Sequence, residues 1–85
     1  MKEQITTYYA IKDIRTNSYL NLFPSDGDVH ARRQFEILKR NKDSIVGQFP
    51  TDFFLFKVCD FDTVRGVFIP YNVEVCELVG DDDKI

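Results

Sequence analysis

The alternation of apolar and polar residues predicts two β-strands at the start of the chain. Ile5 to Asp13 is rich in Thr, Tyr and Ile and alternates with the period of a strand. Ile14 to Asn17 is polar enough to form a turn. Ser18 to Phe23 then predicts a second strand, which would pair antiparallel with the first and end at Pro24.

A change of period after Pro24 predicts one helix. The run Ser25-Asp26-Gly27-Asp28 offers short side-chain oxygens to cap free amides and carboxylates at the positive end of a helix dipole. We expect the helix to extend from Asp28 to Asn41. Ala31, Phe35 and Leu38 recur at i, i+4 and i+7, so this stripe should pack on the sheet.

The second half of the chain holds six of the eight phenylalanines, all between Gln48 and Pro70. It begins with a loop over residues 41–51, in which three apolar side chains are candidate anchors to the core: Ile45, Val46 and Phe49. A hairpin should follow, with strands Phe53–Phe61 and Gly66–Pro70 joined by a turn that ends in Arg65-Gly66. Pro70 to Asn72 should break the run before a last strand, Val73 to Val79.

This order, β-β-α-β-β-β, predicts a small α+β fold with about five antiparallel strands and one helix packed on one face. Eighty-five residues suffice for one domain, which we place at residues 1–80. Residues 81–85 form an acidic C-terminal tail in this interpretation.

The predicted sheet has apolar residues on both faces. In Phe53–Phe61 strict alternation would place Phe53, Leu55, Lys57, Cys59 and Phe61 on one face and Phe54, Phe56 and Val58 on the other. One helix covers only one face, and each exposed Phe or Leu forgoes roughly 1.5–3 kcal/mol of burial. We therefore expect a homo-oligomer, a dimer in the first instance, or a protein partner. The residues predicted for that contact are Phe53, Phe54, Phe56 and Phe61.

Charge limits the classes of partner. A net charge of −3 and a pI near 5.0 disfavour a strong general attraction to nucleic acid. The predicted helix nevertheless carries a local basic patch of Arg32, Arg33, Lys39, Arg40 and Lys42. Such a patch can contact phosphates, and Tyr8, Tyr9 or Tyr19 could stack on bases of single-stranded DNA. The alternative is a solvated helix face, which Glu36 within the patch favours.

No residue pattern predicts catalysis, a metal site or a cofactor. The single histidine, His30, is expected on the helix surface, and no nucleophile elbow, phosphate loop or paired metal-ligand motif occurs. The segment Asp60 to Gly66 lacks the ligands of a calcium loop, so Asp60 and Asp62 are interpreted as turn formers. Cys59 and Cys76 are expected to pack as small apolar residues, with a disulfide or a metal role as alternatives.

No apolar run is long enough to cross a membrane, and the N-terminus lacks the features of a signal peptide. Unpaired cysteines in strands fit a reducing cytoplasm. We therefore expect a protein that acts inside a cell without a membrane partner.

Several segments in order resemble the small nonstructural protein of gokushovirus-type microviruses, which are phages with single-stranded DNA genomes. They are YAIKD, NSYLNLF, ARRQF, FPTDFFLFKVCDFD and the return Gly66-Val67-Phe68, and together they span about Tyr8 to Val79. The chain departs from the family pattern in its turn, Thr63 to Gly66, and in its more basic helix.

The resemblance implies a non-capsid protein of the infected bacterial cytoplasm, loosely associated with genome replication or DNA binding. Our leading hypothesis is a non-enzymatic accessory protein that assists single-stranded DNA synthesis or packaging by weak DNA binding as an oligomer. The alternative is a module that engages a phage or host replication protein without contacting DNA.

Overall fold

The chain folds into an antiparallel sheet with one long helix packed on it, which confirms the predicted α+β class. The computed structural model describes residues 4–75. Within them the elements are β1 (Ile5–Asp13), β2 (Ser18–Ser25), helix α1 (Asp28–Arg40), the short helix α2 (Ile45–Gln48), a 3-10 turn (Pro50–Asp52), β3 (Phe53–Asp62) and β4 (Val67–Glu74). The strand order is β2-β1-β3-β4.

The described residues form four strands, where the sequence predicted about five. The predicted break at Pro70–Asn72 is wrong, because β4 continues through it and takes in Val73 and Glu74. In the same way β2 continues past Pro24 to Ser25. Both are edge strands, where a proline nitrogen can face the free side without removing a ladder hydrogen bond. The rest of the predicted last strand and the acidic tail lie outside the described residues.

The two hairpins close with the same turn chemistry. In each an aspartate ends the first strand, and its Oδ1 accepts hydrogen bonds from the amides two and three residues later. The distances are 2.9 and 3.4 Å for Asp13 and 3.0 and 3.1 Å for Asp62. The residue four positions after each aspartate is left-handed, with φ 58° at Asn17 and 70° at Gly66. Asp62 is therefore a turn former, as predicted.

The core lies between the sheet and the helices. Its buried members are Tyr9, Ile11, Ala31, Phe35, Val46, Phe53 and Leu55. The predicted stripe on α1 is confirmed, with Leu38 packed partly against this cluster. Of the three predicted loop anchors only Val46 is buried. Ile45 and Phe49 are 52% and 54% exposed, because the four-residue helix α2 turns a single apolar side chain inward.

A bulge in β3 overturns the predicted alternation of that strand. Tyr8 pairs with Cys59 but Tyr9 pairs with Lys57, so Val58 is an extra residue. The bulge places the residues after it on the opposite face from the one that strict alternation predicts. Phe61 pairs with Thr6, on the side of β1 that faces away from α1. We call this side the open face; its aromatic residues are Tyr8, Tyr19, Phe54, Phe56, Phe61 and Phe68.

The start of α1 is held by the sheet and not by a side-chain cap. Gly27 occupies the N-cap position without a capping hydrogen bond, so the predicted cap is wrong. Instead the Tyr9 hydroxyl donates a 2.6 Å hydrogen bond to Oδ1 of Asp28, which also lies 3.5 Å from Nζ of Lys57. Burial and this bond raise the pKa of Tyr9 above its ordinary value. Asp28 thus joins the helix to β1 and β3.

Candidate functional site

Three of the predicted DNA-binding residues lie on the outer surface of the helical layer. Arg33 and Arg40 are exposed on α1, and Lys42 is exposed just beyond its end. Within residues 4–75 these three side chains form no ion pair. Arg33 and Arg40 are seven residues apart, about two helical turns or 10.5 Å along the axis. They therefore present separated cations on one ridge.

The other two predicted residues, Arg32 and Lys39, lie on a flank of α1. They line a groove of about 310 Å³ between the helix and the end of β3. Nζ of Lys39 is 3.5 Å from Oε2 of Glu36 and 5.1 Å from the centre of the Phe35 ring. Lys39 is thus already engaged within the fold, and the basic patch consists of an outward part and a flanking part.

The predicted stacking tyrosines do not lie beside the basic patch. Tyr9 is only 1% exposed in the core, so its predicted stacking role is wrong. Tyr19 pairs with Lys12, and Tyr8 with Cys59, on the open face. The sheet separates both tyrosines from α1. Phosphate contact by the helix and base stacking on these rings therefore belong to two different surfaces.

The open face is a nearly continuous aromatic surface. Tyr19 and Phe56 pack edge to face at 5.6 Å between ring centres, and Phe61 and Phe68 pack at 4.7 Å. Nζ of Lys12 lies 5.5 and 5.8 Å above the rings of Tyr19 and Phe56. This side has no helix over it in the described range, and Phe68 remains 64% exposed.

Three of the four residues predicted for a partner contact lie on this face: Phe54, Phe56 and Phe61. Phe53 does not, because it is 4% exposed beneath the helices. Sequence reasoning missed Tyr19 and Phe68 as members of the face. The antiparallel pairing of each hairpin was the signal for both, since it places Tyr19 beside Lys12 and Phe68 beside Phe61.

Asp60 joins strands and does not form a turn, which corrects the prediction. Its Oδ1 accepts hydrogen bonds from Oγ1 of Thr7 at 2.9 Å and from the hydroxyl of Tyr71 at 2.6 Å. Burial and the bond to Asp60 raise the pKa of Tyr71 to about 12. Burial, with the charge of Asp60 nearby, also raises the pKa of the Cys59 thiol. A protonated, half-buried Cys59 fits the predicted packing role.

Residues 4–75 contain no cluster of three or more potential metal ligands among His, Cys, Asp and Glu. His30 is exposed on α1, where the sequence placed it. No helix in this part of the chain is both long and apolar enough to span a bilayer.

Comparison with known proteins identifies the family. Residues 6–80 match the sequence profile of the phage ORF5 protein, so the match covers most of the 85-residue chain and all four strands. No curated protein and no solved structure matches it. The chain therefore belongs to the phage ORF5 protein family.

Proposed function

We propose that this phage protein is a non-enzymatic accessory factor that binds single-stranded DNA weakly, as an oligomer, during genome synthesis or packaging. It would act in the cytoplasm of the host bacterium. Membership of the phage ORF5 family supports the viral setting. The resemblance of its segments to the gokushovirus-type protein supports a phage with a single-stranded DNA genome.

The observation that carries the proposal is the exposed basic ridge of α1. Five of the eleven Lys and Arg residues of the chain lie between positions 32 and 42, and Arg33, Arg40 and Lys42 are exposed without an ion pair in the described part of the chain. The whole chain has a net charge of −3. Binding should therefore be local, weak and strongly reduced by salt.

Titration of a labelled 20-nucleotide single strand at about 50 mM and 200 mM salt tests this proposal. The double charge reversal Arg33→Glu/Arg40→Glu should weaken binding at least about tenfold and flatten the salt dependence by roughly 0.7 per lost phosphate contact. The matched control is Arg15→Glu/Arg65→Glu, which changes the net charge equally at turn side chains that are 74% and 78% exposed. No binding at the lower salt, or equal losses in both variants, would refute the basic ridge.

A second candidate function is protein interaction without DNA contact. The observation that favours it is the open face, where Tyr19, Phe54 and Phe68 are 43%, 38% and 64% exposed. Apolar surface of this kind often marks a protein contact. A tagged chain recovered from infected cells with a nuclease-resistant phage or host replication protein would support this function. Loss of that protein after nuclease treatment would count against it.

A further inference from the structure

The open face leaves the aromatic surface of the sheet uncovered, on the side opposite the basic ridge. We propose that two copies of the chain pack through their open faces, so that the two α1 helices point away from each other. The dimer then presents two basic ridges on opposite sides. The dimer contact stands by itself, whereas its use to hold two segments of DNA rests on the proposed function.

The edges of the sheet are poor places for a second copy to add. Both free edge strands contain a proline, Pro24 in β2 and Pro70 in β4. A proline that faces the free side of an edge strand offers no amide donor there, so strand addition loses a ladder hydrogen bond. This arrangement leaves the face of the sheet as the better contact.

Charge also favours a second copy over DNA on the open face. Lys12 is the one basic side chain that the strand register places there within residues 4–75, and its ammonium already lies over two aromatic rings. Glu74 pairs with Phe56 and so lies on the same side. A twofold axis allows Lys12 of each copy to approach Glu74 of the other. Phosphates would find a single cation and one carboxylate.

The size of the face suits a modest interface. Four strands of eight to ten residues cover roughly 500 Å² at the usual strand spacing. Two such faces give about 1,000 Å², at the lower limit for a specific contact. The sheet and α1 together make a thin protomer of 20 Å. Face-to-face packing doubles that thickness and places the two ridges on the outer surfaces.

The first test measures mass by light scattering and sedimentation between roughly 1 and 100 μM, where a small interface dissociates. The expected species is twice the 10.0 kDa chain mass. Phe68→Asp should weaken dimerisation at least about tenfold, because it places a carboxylate in the contact. Phe49→Asp is the control, since that ring is 54% exposed at the α2 loop. Circular dichroism verifies that both variants fold, and Phe54→Asp serves as a second variant on the face.

A monomer at 100 μM, or equal masses for Phe68→Asp and Phe49→Asp in folded form, would overturn the dimer. The second test adds donor- and acceptor-labelled 20-nucleotide single strands to the wild-type protein. Energy transfer between them is expected, and Phe68→Asp should bind each strand without transfer. A monomer that loses DNA binding on Phe68→Asp would instead assign the open face to base stacking. A dimer that binds neither strand would refute the proposed function and leave the dimer intact.

Discussion

The hydrogen bond between Tyr9 and Asp28 offers the sharpest test of how the helix is held on the sheet. Tyr9→Phe deletes one oxygen atom from a side chain that is 1% exposed and leaves the ring in place. The lost bond is 2.6 Å long and its acceptor is a carboxylate. Hydrogen bonds to charged groups contribute about 1.5–3 kcal/mol.

Solvent sets where in that range the cost should fall. The Asp28 side chain is 46% exposed and keeps Lys57 at 3.5 Å, so water and Lys57 replace part of the lost bond. We therefore expect a loss near the lower limit, about 1.5 kcal/mol. In a domain of this size that corresponds to a fall in melting temperature of roughly 6–12 °C.

Urea denaturation followed by circular dichroism measures this free energy of unfolding. Tyr8→Phe is the matched control, because it removes the same atom from the neighbouring residue, whose hydroxyl makes no hydrogen bond within residues 4–75. Its effect should stay within about 0.5 kcal/mol. In the double variant with Asp28→Asn the two losses should not add. Equal effects of Tyr9→Phe and Tyr8→Phe would refute the proposed link between helix and sheet.

Three further outcomes follow from the described contacts. The raised pKa of Tyr71, about 12 against an ordinary 10.0, means that the neutral hydroxyl bonded to Asp60 stabilises the fold. This stability is complete below pH 10 and is lost as pH rises toward 12, so urea midpoints should fall over that window and Tyr71→Phe should remove part of the fall. Gly47→Ala should destabilise by about 3 kcal/mol in a thermal melt, because a Cβ would meet the Asn41 carbonyl oxygen at 2.0 Å. Phe35→Ala, at the centre of the core, should cost about 3–5 kcal/mol in the same assay.

Features governed by local sequence were predictable. The stripe of α1 was predictable because helical periodicity needs no knowledge of the partner. The turn at Gly66 was predictable because few residues adopt its φ of 70° without strain. The basic ridge was visible for the same reason, since neighbouring positions on one helix share a surface.

Features that depend on neighbouring strands were not predictable. Pro24 and Pro70 were interpreted as strand breaks, since their position at the sheet edges is set only by the strand order. Tyr9 could not be assigned to the core, because both faces of β1 alternate equally well in sequence. The separation of the basic and aromatic surfaces also depended on which face α1 covers.

The bulge at Val58 means that β3 must be read in two frames. Up to Lys57 the odd positions face the helix, and from Cys59 onward the even positions do. A single-residue deletion here would remove the offset and exchange the two sets. Asp60, which holds Thr7 and Tyr71, would turn to the aromatic side, and Phe61 would turn inward. Length at this point of β3 is therefore under stricter constraint than residue identity, and sequence comparisons within the family should treat an insertion or deletion here as a change of surface.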